Sequence, residues 1–208
     1  DGGSLADRVD AADTTPSSVA GWLDAVARAL AEAHASGVVH AGLKPASIVF
    51  SKSGIPYVTD FAIAVRPSAS AMRPILGTPE YLSPEQWNGD EAGPAADQYS
   101  LACVCYRVLT GAVPFENQMD DQMRSRNYDA GPAPAHVRAM NQGRGPLPPA
   151  LSGVLAKALS TRASDRFPTI VDFAQAFRSA IGPSSRIERK TRVFVSYRRD
   201  SDAGWAAL

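Results

Sequence analysis

Val38–Ala62, VVHAGLKPASIVFSKSGIPYVTDFA, decides the fold. Ser47–Phe50 is apolar and rich in β-branched side chains, which suits a strand. Lys52-Ser53-Gly54 is turn chemistry, with a glycine free to take positive φ. Pro56–Thr59 reads as the return strand, ending at Asp60-Phe61. A short hairpin of this kind brings His40, Lys44, Ser47 and Asp60 near one another. A lysine and an aspartate at the ends of one hairpin are suited to a phosphate and its magnesium ion.

The stretch resembles the catalytic and metal-binding loops of a eukaryotic-type Ser/Thr protein kinase, of the kind found in bacteria. That family reads H-R-D-L-K-P-x-N, with D-F-G following. Here the frame is His40-Ala41-Gly42-Leu43-Lys44-Pro45-Ala46-Ser47, then Asp60-Phe61-Ala62. The resemblance puts the family's catalytic aspartate on Gly42, its arginine on Ala41 and its second metal-binding asparagine on Ser47. Lys44, the phosphate contact, and Asp60, the metal ligand, are retained. The expected fold is therefore a kinase C-lobe, mainly α with a small β-hairpin, that has lost phosphotransfer: a pseudokinase.

Other stretches extend the resemblance. Gly77–Glu85, GTPEYLSPE, is close to the bacterial kinase pattern G-T-P-x-Y-M-S-P-E. Pro94–Gly111, PAADQYSLACVCYRVLTG, reads as a buried helix and resembles the family's central helix. On that resemblance Asp97 anchors the backbone amides of the catalytic loop, and Arg166 is the buried arginine that pairs with Glu85. Residues 1–12 resemble the end of the kinase hinge and the helix after it, which would leave the Gly-rich loop, the strand lysine and its helix glutamate outside this chain. The alternative is an acidic leader without structure. Neither end has the look of a natural terminus, so a fragment of a longer protein is expected.

The remaining elements follow from local patterns. Thr15-Pro16 opens a helix carrying Trp22, Leu23, Val26, Leu30 and Ala33 at helical spacing, with Gly37 closing it; neither Trp22 nor His34 requires a ligand. Residues 63–76 read as a mobile activation loop, with Ser68, Ser70 and Thr78 as phosphorylatable hydroxyls; without an arginine at Ala41, control by loop phosphate is expected to be absent. Residues 116–149 read as loops around a short helix. A helix is expected over Leu151–Leu159, and a last one capped by Thr169 with Asp172 three residues on, stopping at Gly182-Pro183.

After a polar linker, residues 183–190, the pattern changes. Arg192–Asp200, RVFVSYRRD, resembles the first strand and box 1 of a bacterial TIR domain, a flavodoxin-like α/β fold. The expected organisation is a kinase-like C-lobe over 1–182, the linker, and the start of a TIR domain over 191–208. Any NAD-cleaving glutamate of that family would lie beyond Leu208.

Bulk composition narrows the function. The chain has 208 residues, 45% hydrophobic and 20% charged, so a packed core is expected. The formal net charge of zero argues against nucleic acid held by bulk charge. No apolar run approaches the ~18 residues of a membrane span. Cys103 and Cys105 read as buried thiols, and the lack of a disulfide framework fits a cytoplasmic location. Three functions stay open: a pseudokinase scaffold with protein partners, regulating a TIR domain; an active ATP-dependent Ser/Thr kinase with an atypical loop, for which Glu32 and Asp90 are poorly placed bases; and an NAD-hydrolysing effector with a kinase-like sensor. ATP and magnesium are expected only in an intact parent, at Lys44, Ser47 and Asp60.

Overall fold

The structure, a computed structural model, describes residues 2–9, 14–61, 78–115 and 131–182. Its one sheet among these is an antiparallel hairpin of β1 (Ile48–Phe50) and β2 (Pro56–Val58), with Ile48 opposite Val58 and Phe50 opposite Pro56. Alternation points Ile48, Phe50 and Val58 into the core. The turn is closed by Ser51, whose amide donates to the Ile55 carbonyl at 2.9 Å while its hydroxyl accepts from the Ile55 amide at 3.0 Å. Gly54 takes φ +78° there. The expected strand at Ser47 gives way to a 3-10 turn over Pro45–Ser47, because the Ser47 amide bonds back to the Lys44 carbonyl.

The first residues are ordered against this hairpin. Gly2 and Leu5 donate to the carbonyls of Phe50 and Ile48, and Phe50 donates to Gly3. Ala6–Arg8 then forms a single 3-10 turn. A methyl group on Gly2 would lie 2.3 Å from the Ser51 carbonyl oxygen, so the close approach of the two backbones requires glycine.

The helices are α1 (Pro16–Ala35), the one-turn α2 (Pro84–Trp87), α3 (Pro94–Thr110), α4 (Ala135–Asn141), α5 (Pro149–Ala158) and α6 (Ile170–Ala180). α1 starts on Thr15, whose side chain accepts from the Ser18 amide. It ends in a Schellman motif in which Gly37, at φ +73°, donates to His34 and Val38 donates to Ala33. The expected cap of α6 forms as a reciprocal pair, Thr169 with Asp172. α4 is the short helix expected between 116 and 149; residues 116–130 lie outside the described residues.

α3 is the axis of the domain. Nearly every side chain from Ala96 to Thr110 is buried, so its apolar surface is not confined to one stripe. α1, α4, α5 and α6 all pack on it, α1 also packs on α6 and on β2, and α5 packs on α6. Cys103 and Cys105 sit on this buried helix, and burial raises both thiols far above their usual range. Helices around a central helix, with one small antiparallel hairpin, make the kinase-like C-lobe architecture expected from the sequence.

Phe173 is fully buried on α6, with its ring against Phe167 and edge-on to Phe177. Phe173→Ala is expected to cost about 3–5 kcal/mol of folding stability, because the site is enclosed by helices and cannot collapse. Urea unfolding followed by tryptophan fluorescence measures it.

Candidate functional site

Residues 38–44 carry no regular secondary structure, so their polar backbone groups need partners from elsewhere. The buried carboxylate of Asp97, in the first turn of α3, supplies two of them. Its Oδ1 accepts from the Ala41 amide at 2.8 Å and its Oδ2 from the His40 amide at 2.9 Å. A third donor is His34 at the end of α1, whose Nε2 lies 2.7 Å from Oδ2. Asp97 has no solvent exposure, so these bonds and its place at a helix N-terminus are what compensate its charge.

His40 is equally buried. Its Nε2 donates to the Thr59 carbonyl at 2.8 Å, which leaves Nδ1 to accept from the Gly42 amide at 3.3 Å. Only the neutral ring protonated at Nε2 satisfies both partners. The ring also packs on Phe61, with centroids 4.7 Å apart. The Thr59 amide in turn donates to the Ser47 carbonyl at 2.9 Å. His40, Ser47 and the Thr59–Phe61 segment are thus joined directly.

Two residues outside glycine have positive φ among the described residues: Ala41 at 57° and Asp60 at 58°. Each costs roughly 1–2 kcal/mol relative to a relaxed backbone. Both flank this network. Ala41 is held from either side, its amide by Asp97 and its carbonyl by Gln86, whose Nε2 donates at 2.7 Å.

The side chains singled out from the sequence differ in setting. Asp60 is exposed, Lys44 is half-buried, and Ser47 is buried with no hydrogen-bond partner for its hydroxyl among the described residues. A Cβ added to Gly42 would meet no atom of the described residues within 4 Å. Glu32 is exposed on α1, and Asp90 is exposed beyond α2. Thr78 is half-buried; Ala62, Ser68, Ser70 and residues 183–208, including the TIR-like stretch, lie outside the described residues.

Glu85 and Arg166 form a second anchor. Nη1 and Nη2 of Arg166 donate to Oε1 and Oε2 of Glu85, both at 2.7 Å. The same guanidinium donates to the carbonyls of Ala95, Ser160 and Thr161 and lies over the Tyr99 ring. Burial pushes the Glu85 carboxyl up, but the Arg166 hydrogen bonds and charge outweigh it and hold the group below its ordinary value.

His34 and Gln86 were not foreseen. His34 follows the helical pattern of α1, and its partner lies 63 residues away, so the sequence carries no local mark of the contact. Gln86 completes an S-x-x-Q capping pattern with Ser83 at the start of a one-turn helix, a signal that marks the helix end and carries no sign of the contact with Ala41.

The profile of the protein kinase domain matches residues 1–176. The chain belongs to the protein kinase family. The serine/threonine-protein kinase PknD of Mycobacterium tuberculosis is 34% identical over 181 residues, covering 85% of this chain and 26% of PknD. PknH of Mycobacterium bovis is 32% identical over 170 residues, covering 80% and 28%. Pkn1 of Myxococcus xanthus is 33% identical over 180 residues, covering 82% and 25%. The chain spans about a quarter of the length of these kinases. Among solved structures, the kinase domain of M. tuberculosis PknI superposes with a TM-score of 0.62 at 31% identity, covering 86% of this chain and 61% of that one. This is thus a Ser/Thr kinase domain of the bacterial kind, and its described helices and hairpin correspond to a C-lobe. No described helix is long and apolar enough to cross a membrane, and no three His, Cys, Asp or Glu side chains among the described residues are grouped to hold a metal.

The depressed Glu85 titration has a signed consequence. A carboxyl whose folded value lies below its unfolded one contributes stability above the unfolded value, near 4.5, and loses it as pH falls toward the folded value. Stability should therefore decline below about pH 5, and Glu85→Gln should flatten that acid limb. Glu85→Ala, which strands the fully buried Arg166 side chain, is expected to cost about 3–5 kcal/mol at neutral pH. Thermal melts from pH 3 to 7 read both effects.

Proposed function

We propose that this kinase lobe is a pseudokinase: it keeps the framework of a Ser/Thr kinase and lacks effective phosphotransfer. The observation that carries the reading is Gly42. Its backbone lies in the loop fixed by Asp97 and His40, and a Cβ there would meet none of the described residues. On the family resemblance this is the place of the aspartate that orients the acceptor hydroxyl and takes its proton. General-base help of that kind is worth roughly 10²–10⁴-fold in rate.

Lys44 and Asp60 support residual nucleotide binding in the full-length protein. Magnesium, when bound, neutralises the phosphate oxygens of ATP. The exposed carboxylate of Asp60 suits a hard cation, and the orphaned Ser47 hydroxyl suits a neutral second donor, weaker than an amide oxygen. These two would hold the ion, and Lys44 would offset phosphate charge. In this reading residues 1–182 are the C-lobe, 183–190 a linker and 191–208 the start of a TIR domain. The lobe then acts by holding protein partners and regulating that domain, whose NAD chemistry is a separate activity. The support for the TIR reading is the sequence of Arg192–Asp200.

The test is phosphate transfer by the full-length protein. The unaltered protein should incorporate none above background, and Gly42→Asp, whose Cβ meets none of the described residues, should raise incorporation. Incorporation by the unaltered protein that disappears in Asp60→Ala overturns the pseudokinase reading. Consumption of NAD by the same protein, read separately, tests the TIR assignment.

A further inference from the structure

Gln86 occupies an unusual position. Its Oε1 accepts from both the amide and the hydroxyl of Ser83, at 3.1 Å each, closing the N-terminus of α2. Its Nε2 reaches across to the carbonyl of Ala41 at 2.7 Å, 45 residues earlier in the chain. One side-chain amide therefore spans two segments, the loop over His40–Gly42 and the segment over Thr78–Asn88.

The residue it grips is one of the two strained ones. Ala41 gains nothing intrinsic from φ 57°, so external bonds must hold it there. Asp97 fixes the amide side only. Rotation of the peptide between Ala41 and Gly42 would leave the Asp97 bonds intact while turning the Gly42 amide away from His40. The Gln86 bond to the Ala41 carbonyl opposes that rotation.

We propose that Gln86 is the positioning residue that fixes the loop at Ala41–Gly42 to the Thr78–Asn88 segment. Its bond runs to a backbone carbonyl, so it does not depend on the side chain at position 41. The inference rests on reading residues 40–42 as the loop of a kinase C-lobe, and it concerns the geometry of that loop rather than its chemistry.

Gln86→Glu separates the two roles of the side chain. The carboxylate still accepts from Ser83 but cannot donate to Ala41 at neutral pH. Amide hydrogen exchange of the full-length protein is the measurement, compared with the unaltered protein at the same pH. The Gly42 amide should exchange at least about tenfold faster in Gln86→Glu, while the Ala41 amide, still held by Asp97, and the buried α3 amides stay unchanged as controls for wider unfolding. Adding Ala41→Gly, which occupies positive φ readily, should remove most of that acceleration. A purely structural role at α2 predicts no such dependence on residue 41. If the added charge unfolds the protein, Gln86→Met, which removes both the Ser83 and the Ala41 bonds, is measured with alanine and with glycine at position 41, and the dependence on residue 41 isolates the Ala41 contact. Unchanged exchange at Gly42, or equal acceleration with alanine and glycine at position 41, overturns the proposal. Phosphotransfer does not enter the readout, so this proposal and the pseudokinase reading can fail independently.

Discussion

A single buried carboxylate governs the site. Asp97 lies at the start of the most enclosed helix and takes its donors from the end of α1 and from two successive amides of an irregular loop. Removing it would leave two buried N–H groups and a histidine without partners, each costing about 1–3 kcal/mol. The loop has no ladder of its own, so its shape is imposed from α3. The rigidity of the central helix is thereby transferred to residues that could not hold a conformation alone.

The second anchor works at a different scale. Arg166 collects three carbonyls, an aromatic face and both oxygens of Glu85. It joins the segment leading into α6 to α2 and to the first turn of α3. Such a pair is costly to break from one side, and replacing both partners by apolar residues could be neutral. Its persistence beside a loop with Ala41 and Gly42 separates two demands on the chain. The anchors of the lobe, Asp97 and the Glu85–Arg166 pair, are in place, while position 42 offers no side chain to a substrate.

Much of this was legible in the sequence because it follows local rules. The hairpin was visible in β-branched residues around Lys52-Ser53-Gly54, and the helix ends in Thr15, Gly37, Thr169 and Gly111. The frame from His40 to Ser47 located the site by its resemblance to a family motif. What the sequence could not convey was depth and reach. His34 looks like any polar residue near the end of an amphipathic helix until α3 is packed against it. Gln86 has no periodic or capping signature that points to Ala41. The shortening of β1 at Ser47 likewise depends on a turn that begins at Pro45. Contacts between residues tens of positions apart leave no trace in local patterning.

Arg144 links the beginning of the chain to its later part. The guanidinium donates to the Val9 carbonyl and to the Thr14 hydroxyl and rests against Gly111 at the end of α3. Val9 and Arg144 are 135 residues apart. At about 5–20 residues per second, a ribosome delivers the second partner roughly seven to thirty seconds after the first. Throughout that interval the Val9 carbonyl lacks its guanidinium partner, although Gly2 and Leu5 can already pair with the hairpin. The first turn of the chain therefore closes onto Arg144 only after most of the lobe has been made.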